Sequence, residues 1–345
     1  MKRTEVCTSS FWYTIFAVAA GCAVFVIARQ NRLTFPYPWN DEARFFLPSW
    51  YFAEFGSLSP RILNAPNGIY WMPEGFYVWM GTLLALFGRS MAVARVVCEA
   101  SVAASVTVFA LVFVKITRSA MMAAIFTLLL VTPPVIFAAN MVRMEAPLCM
   151  LLALAMWSHV NQFYLSAISL LLLSTLFHPA LALALLSYGI ALAATRKGVT
   201  RDDHRTWQKV SERALFLFVL LALLAEIGRV AMHFSLFQQH MHYQATRKLL
   251  VKHWSLFIKP QGVLLGAEIA AVLAWLGVRW RRISIEERCL LGPVAAAILG
   301  MQLYAVLGGL TEYDVYSLSI GPALCFCLVY RVVFVSSPSF GQLPL

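Results

Sequence analysis

Apolar residues run along this chain in long blocks separated by short charged or turn-forming stretches. This pattern predicts membrane-crossing helices rather than half-buried strands. The blocks read as spans cover approximately residues 11–28, 91–114, 119–139, 144–160, 163–177, 180–195, 213–233, 262–278, 289–308 and 316–335. Inside a bilayer the backbone polar groups of a segment find partners only within that segment, so the expected fold is all-α: a polytopic transmembrane bundle of about ten spans. The piece from Phe76 to Phe87 is too short to cross a hydrocarbon layer roughly 30 Å thick and predicts an interfacial helix. It belongs to a long first loop, about 30–90, in which "ARFFLPSWYFAEFG" and "FYVWMGTLLALFG" predict two juxtamembrane helices separated by the turn-rich "SPRILNAPNG".

Composition sharpens this picture. With 61% hydrophobic and 12% charged residues over 345 positions, the chain has too little polar surface to cover a soluble globule. The net charge of +11 does not point to nucleic acid, because no Arg/Lys stripe interleaved with surface aromatics accompanies it. The basic residues lie between apolar segments. With the N-terminus inside, Lys115, Arg118, the run Arg196 to Arg213 and "RWRRISIEER" at Arg279 to Arg288 all fall on the cytoplasmic side, as the positive-inside tendency requires. The expected location is the inner (plasma) membrane. Phe11 to Ala28 reads as an uncleaved span after Met1-Lys2-Arg3, with a cleaved signal peptide as the alternative. The seven cysteines fall mostly inside apolar stretches and read as packing residues. No tandem repeat is visible, and no separate soluble domain is expected after the last span.

Charged residues are sparse, so the few at membrane level stand out. Asp41-Glu42 follows the first span, among Tyr37, Trp39, Phe45 and Phe46. One reading is helix capping, with Asn40 or Asp41 capping a helix that opens at Ala43. The other is a partly desolvated carboxylate suited to taking a proton from a hydroxyl. Glu145 in "NMVRMEAPLCM" reaches the same outer face with Arg143 two residues before it, either as an interfacial ion pair or as an acid beside a phosphate-binding cation. Arg95 with Glu99, and Glu226 with Arg229, are spaced to pair within one helix, and Arg229 is also a candidate phosphate contact. Glu268 has no evident partner in its own helix. His178-Pro179 marks an outer turn or a substrate contact, and the loop 234–260 places Arg247, Lys248 and Lys252 against the positive-inside tendency, as if to meet lipid phosphate. Its His240-x-His242 is the candidate for a divalent metal ion, although no carboxylate stands at fixed spacing; no metal ligand set is assigned.

The motifs "NDEARFF", "MPEGFYVWM" followed by "LFGRSMAVARVV", and "ANMVRMEAPLCMLLALAMW", together covering about residues 10–195, resemble the GT-C membrane glycosyltransferases. They are most similar to the branch containing the protein O-mannosyltransferases and the lipid A aminoarabinose transferase. The resemblance implies a catalytic transmembrane module at 1–195, variable helices at 196–345, and a polyprenyl-phosphate-linked sugar as donor to a hydroxyl acceptor on a glycan, lipid or protein. It implies Asp41 as the catalytic aspartate and Glu145 at the second acidic position; read from the residues beside it, Glu42 is a further catalytic candidate and Arg44, Arg61, Glu74, Arg143, His178, Arg247 and Lys248 are the substrate-binding ones, with membrane lipids as surroundings. The chain departs from the family pattern where Met72-Pro73-Glu74 replaces a Lys-Pro-Pro and where Glu145 replaces a common Asp. Two other readings stay open: a transporter or flippase for a lipid-linked or small substrate, and a catalytically inactive relative acting as a subunit.

Overall fold

A computed structural model of the chain describes residues 2–34, 40–58, 64–65, 68–69, 73–178, 181–195, 206–232, 283–308 and 315–335, with a few further positions near 234–238 and 266–274. In chain order the helices are α1 (Lys2–Thr34), α2 (Asn40–Phe55), α3 (Gly75–Phe87), α4 (Met91–Thr117), α5 (Ala120–Leu128), α6 (Pro133–Asn140), α7 (Glu145–Val160), α8 (Tyr164–Thr175), α9 (Ala182–Thr195), α10 (Thr206–Met232) and α11 (Ile285–Gly308). The last described span runs as a π-helical turn (Tyr316–Ile320), α12 (Gly321–Tyr330) and a second π-helical turn (Arg331–Val335). Among the described residues the only strands are β1 (Asn64–Ala65) and β2 (Gly68–Ile69), a minimal antiparallel pair in the turn-rich part of the first loop.

The architecture is that of an integral membrane helix bundle. Among the described residues, five helices are long and apolar enough to cross a bilayer, or six if a bent pair is counted as one span. Segments 144–160, 163–177 and 180–195 form helices of 16, 12 and 14 residues. At 1.5 Å per residue these rise only about 18–24 Å, short of a full crossing. The block 119–139 is not one straight helix: α5 and α6 meet at 67°. Pro133 and Pro134 lack the N–H groups that would continue the α5 ladder, and Thr132 before them is extended (φ −121°, ψ 160°), so the chain stops and restarts there. The span 262–278 lies mostly outside the described residues.

Helix α4 is the axis of the bundle and packs against α1, α3, α5, α6, α7 and α12. Its start is fixed by Ser90, whose hydroxyl accepts the Val93 N–H at 3.2 Å, and its end by Arg118 in the left-handed region (φ 54°). Helix α1 runs antiparallel to it: the Tyr13 hydroxyl donates to the Ala110 carbonyl at 2.7 Å, while near the other end Arg29 pairs with Glu99 at 3.3 Å. Helix α10 carries Leu217, Phe218, Leu221 and Leu224 exposed, as a lipid-facing helix would. The two helices predicted in the first loop are present as α2 and α3, and they pack on each other through Phe45, which meets Phe76 edge-on at 5.6 Å.

Candidate functional site: an ion-paired cluster at one end of the bundle

The cluster begins with Glu42. Helix α2 opens at Asn40, three residues before the expected Ala43, so the Asp41-Glu42 pair lies inside its first turn. Glu42 is fully buried, and its two oxygens accept from Arg95 of α4, Oε1 from Nε at 3.0 Å and Oε2 from Nη2 at 2.6 Å. Oε1 also accepts the backbone N–H of Val142 at 3.0 Å. One carboxylate therefore ties the start of α2, the first turns of α4 and the link between α6 and α7. A fork-to-fork arginine pair with an added N–H bond satisfies the charge that burial would otherwise penalise. Glu99, expected to pair with Arg95, instead binds Arg29 of α1. The i,i+4 expectation failed because a partner from another helix met the guanidinium bidentately.

Next to this tie, Arg143 and Glu145 pair with each other, Nη2 to Oε1 at 2.8 Å, both partly exposed. The Arg143 guanidinium also lies 5.8 Å from the Phe45 ring centre, so α2 supplies both the carboxylate that holds Val142 and the ring that Arg143 covers. Cys98, buried in α4 one turn beyond Arg95, feels the charges of Glu42, Glu99 and Glu145 together and accepts a hydrogen bond from the Arg143 backbone. The first-loop acid motif and the Arg143-x-Glu145 motif, roughly a hundred residues apart in sequence, thus meet at one end of the bundle.

A second group stands beside it. Gly75, at the start of α3, donates its N–H to the Leu176 carbonyl at 3.0 Å, and a side chain at position 75 would meet that oxygen at 2.5 Å. This docking holds Glu74, which lies 3.2 Å from Arg229 Nε of α10, while Arg229 also pairs with Glu226 at 2.5 Å as its three-residue spacing predicts. Trp79 meets Phe177 at 6.2 Å and His178 meets the Tyr304 ring at 6.4 Å, so an aromatic wall runs from Phe45 towards the C-terminal end of α11.

Of the residues expected from sequence, Glu42, Arg143 and Glu145 come together, Glu74 joins Arg229 and Glu226, His178 stands on Tyr304, and Arg44 is exposed on α2. The side chain of Asp41 and the whole of Arg61, Arg247, Lys248 and the His240-x-His242 motif lie outside the described residues. Among the described residues no group of three or more His, Cys, Asp or Glu side chains is arranged to hold a metal ion. Sequence reasoning did not anticipate Arg29 or the Val142 N–H as site members. Arg29 ends an apolar run, where a terminal cation is commonplace, and a backbone N–H carries no residue signature.

No family model, no curated protein and no solved structure matches this chain.

Proposed function

We propose that this chain is an integral-membrane glycosyltransferase of GT-C type that moves a sugar from a polyprenyl-phosphate carrier to a hydroxyl acceptor at the non-cytoplasmic face. The observation that supports the reading is the triple attachment of Glu42, the residue after Asp41 in the first turn of α2, to Arg95 and to the Val142 N–H, beside the Arg143–Glu145 pair. Glu42 and Glu145 each have an arginine, so they act as positioning groups, and Asp41 takes the part of general base. It accepts the acceptor's proton as the hydroxyl oxygen attacks the anomeric carbon. The bond to the carrier phosphate breaks on the opposite face, with inversion. Phosphate leaves readily once its charge is neutralised, which gives that task to cations such as Arg143, partly exposed beside the site, rather than to a protonating acid.

Asp41→Asn tests the assignment. Turnover of a panel of polyprenyl-phosphate sugars by the purified protein should fall by about 10²–10⁴-fold while the thermal unfolding curve stays unchanged. Normal turnover in that variant would remove Asp41 from the mechanism.

A second reading, a transporter or flippase for a lipid-linked substrate, is favoured by one observation. The broken span α5–α6 faces the π-helical turn Tyr316–Ile320 through a 2.6 Å contact between the Thr132 and Ser319 hydroxyls. Discontinuous helices facing each other within a bilayer are a recurring feature of transport proteins. Movement of the intact lipid-linked sugar across proteoliposome membranes, unaffected by Asp41→Asn, would select that reading.

A further inference from the structure

The link from α6 to α7 begins with a side-chain amide whose oxygen accepts no hydrogen bond among the described residues. Helix α6 ends at Asn140, and the Oδ1 atom of that side chain is sealed from solvent without a donor. An amide oxygen taken out of water and left unbonded costs free energy, and the cost disappears if an apolar side chain of similar size stands in its place. Between Ile136 and Ala146, Asn140 is the only neutral polar side chain. The residue as a whole is partly exposed, so a turn about its soft Cβ–Cγ torsion is enough to bring the oxygen to the surface.

Position gives this amide its meaning. Two residues on, the Val142 N–H reaches Glu42 Oε1 at 3.0 Å, and three residues on stands Arg143. Three extended residues span at most about 11 Å, and the link is tighter than that, because the Arg143 N–H turns back to the Met141 carbonyl at 2.9 Å. Val142 and Met144 are buried, whereas Asn140, Arg143 and Glu145 are partly exposed, so these three form the part of the link that a ligand can touch. The Asn140 oxygen calls for an O–H or N–H donor, and the Arg143 guanidinium calls for an anion. A ligand that answers both at this spacing carries hydroxyl or amino groups a few ångströms from a phosphate, as a sugar joined to phosphate does. A lipid tail carries no such donor.

We infer that Asn140 is a substrate-binding residue that accepts a hydrogen bond from a hydroxyl or amino group of the carried sugar while Arg143 meets the carrier phosphate. The inference rests on the transferase reading of the Glu42–Arg143–Glu145 cluster and adds to it the residue that distinguishes the sugar from its lipid carrier.

The test measures binding to the full-length protein in detergent with two probes: undecaprenyl phosphate alone, and undecaprenyl phosphate bearing mannose, glucose or aminoarabinose. The wild type should hold at least one glycosylated carrier about five- to tenfold more tightly than the bare one. Asn140→Leu should erase that difference and leave affinity for the bare carrier unchanged. In the ligand-free state the variant should unfold at the same or a higher temperature, because it deletes a buried oxygen that has no donor. Asn140→Ala, which removes the amide without branched bulk, should lose the same discrimination. A side chain that merely supports the fold would behave in the opposite way, with a lower unfolding temperature and both probes weakened together in both variants. That pattern, equal binding of bare and glycosylated carriers by the wild type, or discrimination retained by the variants would each overturn the inference and leave the transferase reading in place. Failure of the wild type to bind any of the carriers would overturn that reading and the inference with it.

Discussion

Glu42 shows how one side chain gives a site its shape. Its carboxylate is fully buried, and it stays tolerable because Arg95 and the Val142 N–H saturate it. Removing one partner strands the other. Glu42→Leu or Arg95→Leu alone is expected to lower stability by about 3–5 kcal/mol, whereas the double substitution should lose far less than the sum, because no charge is then left buried. Thermal or denaturant unfolding of the four proteins measures this coupling, and additive losses would show that the pair is not the strut described. Glu145 behaves differently. It is partly exposed beside Arg143, so Glu145→Gln should cost less than about 1 kcal/mol of stability while lowering transfer if the proposed chemistry holds. At this scale the sequence disclosed which residues were unusual, charges amid apolar runs, but not which would pair. Arg95 had a suitable acid four residues away in Glu99 and bonded instead to one 53 residues earlier. Spacing along a helix reports local neighbours, while the winning partner was brought in by packing.

Elements approach one another where small residues allow it, and the helices of this bundle do so through backbone contact. A side chain at Gly300 of α11 would press on the Leu183 carbonyl carbon of α9 at 2.6 Å, whereas Gly189 of α9 has nothing within 4 Å. Gly300→Ala should therefore destabilise the α9–α11 pair by about 1–3 kcal/mol despite alanine's better helix propensity. Gly189→Ala should be neutral or slightly stabilising in the same unfolding assay. Equal effects would refute the close-approach account. The break between α5 and α6 is the element whose meaning the apolar pattern concealed. Hydropathy ran unbroken from 119 to 139 and predicted one span, but apolarity says nothing about hydrogen-bond continuity. Thr132-Pro133-Pro134 interrupts the ladder there and turns the chain by 67°. The two first-loop helices, α2 and α3, were legible, since their short apolar-aromatic stretches mark them independently of their neighbours.

Among the described residues, two charged groups lie at opposite ends of α4. Glu42, Arg95, Glu99, Arg29, Arg143 and Glu145 gather at one end through the contacts of α1, α2, α4 and the α6–α7 link. At the other, Arg331 binds Glu287 and donates to the Ile116 carbonyl at 3.0 Å, close to Lys115 and Arg118. The end that holds Lys115, Arg118 and Arg288 is the one expected to face the cytoplasm. A membrane-impermeant thiol reagent applied to right-side-out vesicles checks this. Cysteine introduced at Arg44 should react from outside, and cysteine at Arg118 only after the membrane is opened; the reverse pattern would invert the orientation and move the proposed chemistry to the cytoplasmic face.

What the sequence determined by itself was the solvent and the class of fold. Long apolar blocks cannot remain in water, and helices are the local way to satisfy their backbones in lipid, so both conclusions follow from each segment taken alone. It also marked Glu42, Arg143 and Glu145 as exceptional, because a charge at membrane level is expensive wherever it sits. Only the tertiary structure decided that these residues meet, that Arg95 belongs to Glu42, that Glu74 answers to Arg229, and that Glu268 and Gln302 converge on a glycine in another helix. Those choices depend on which helices lie side by side, and that is settled by shape and by competition among distant partners, neither of which is written in the spacing of residues along one segment.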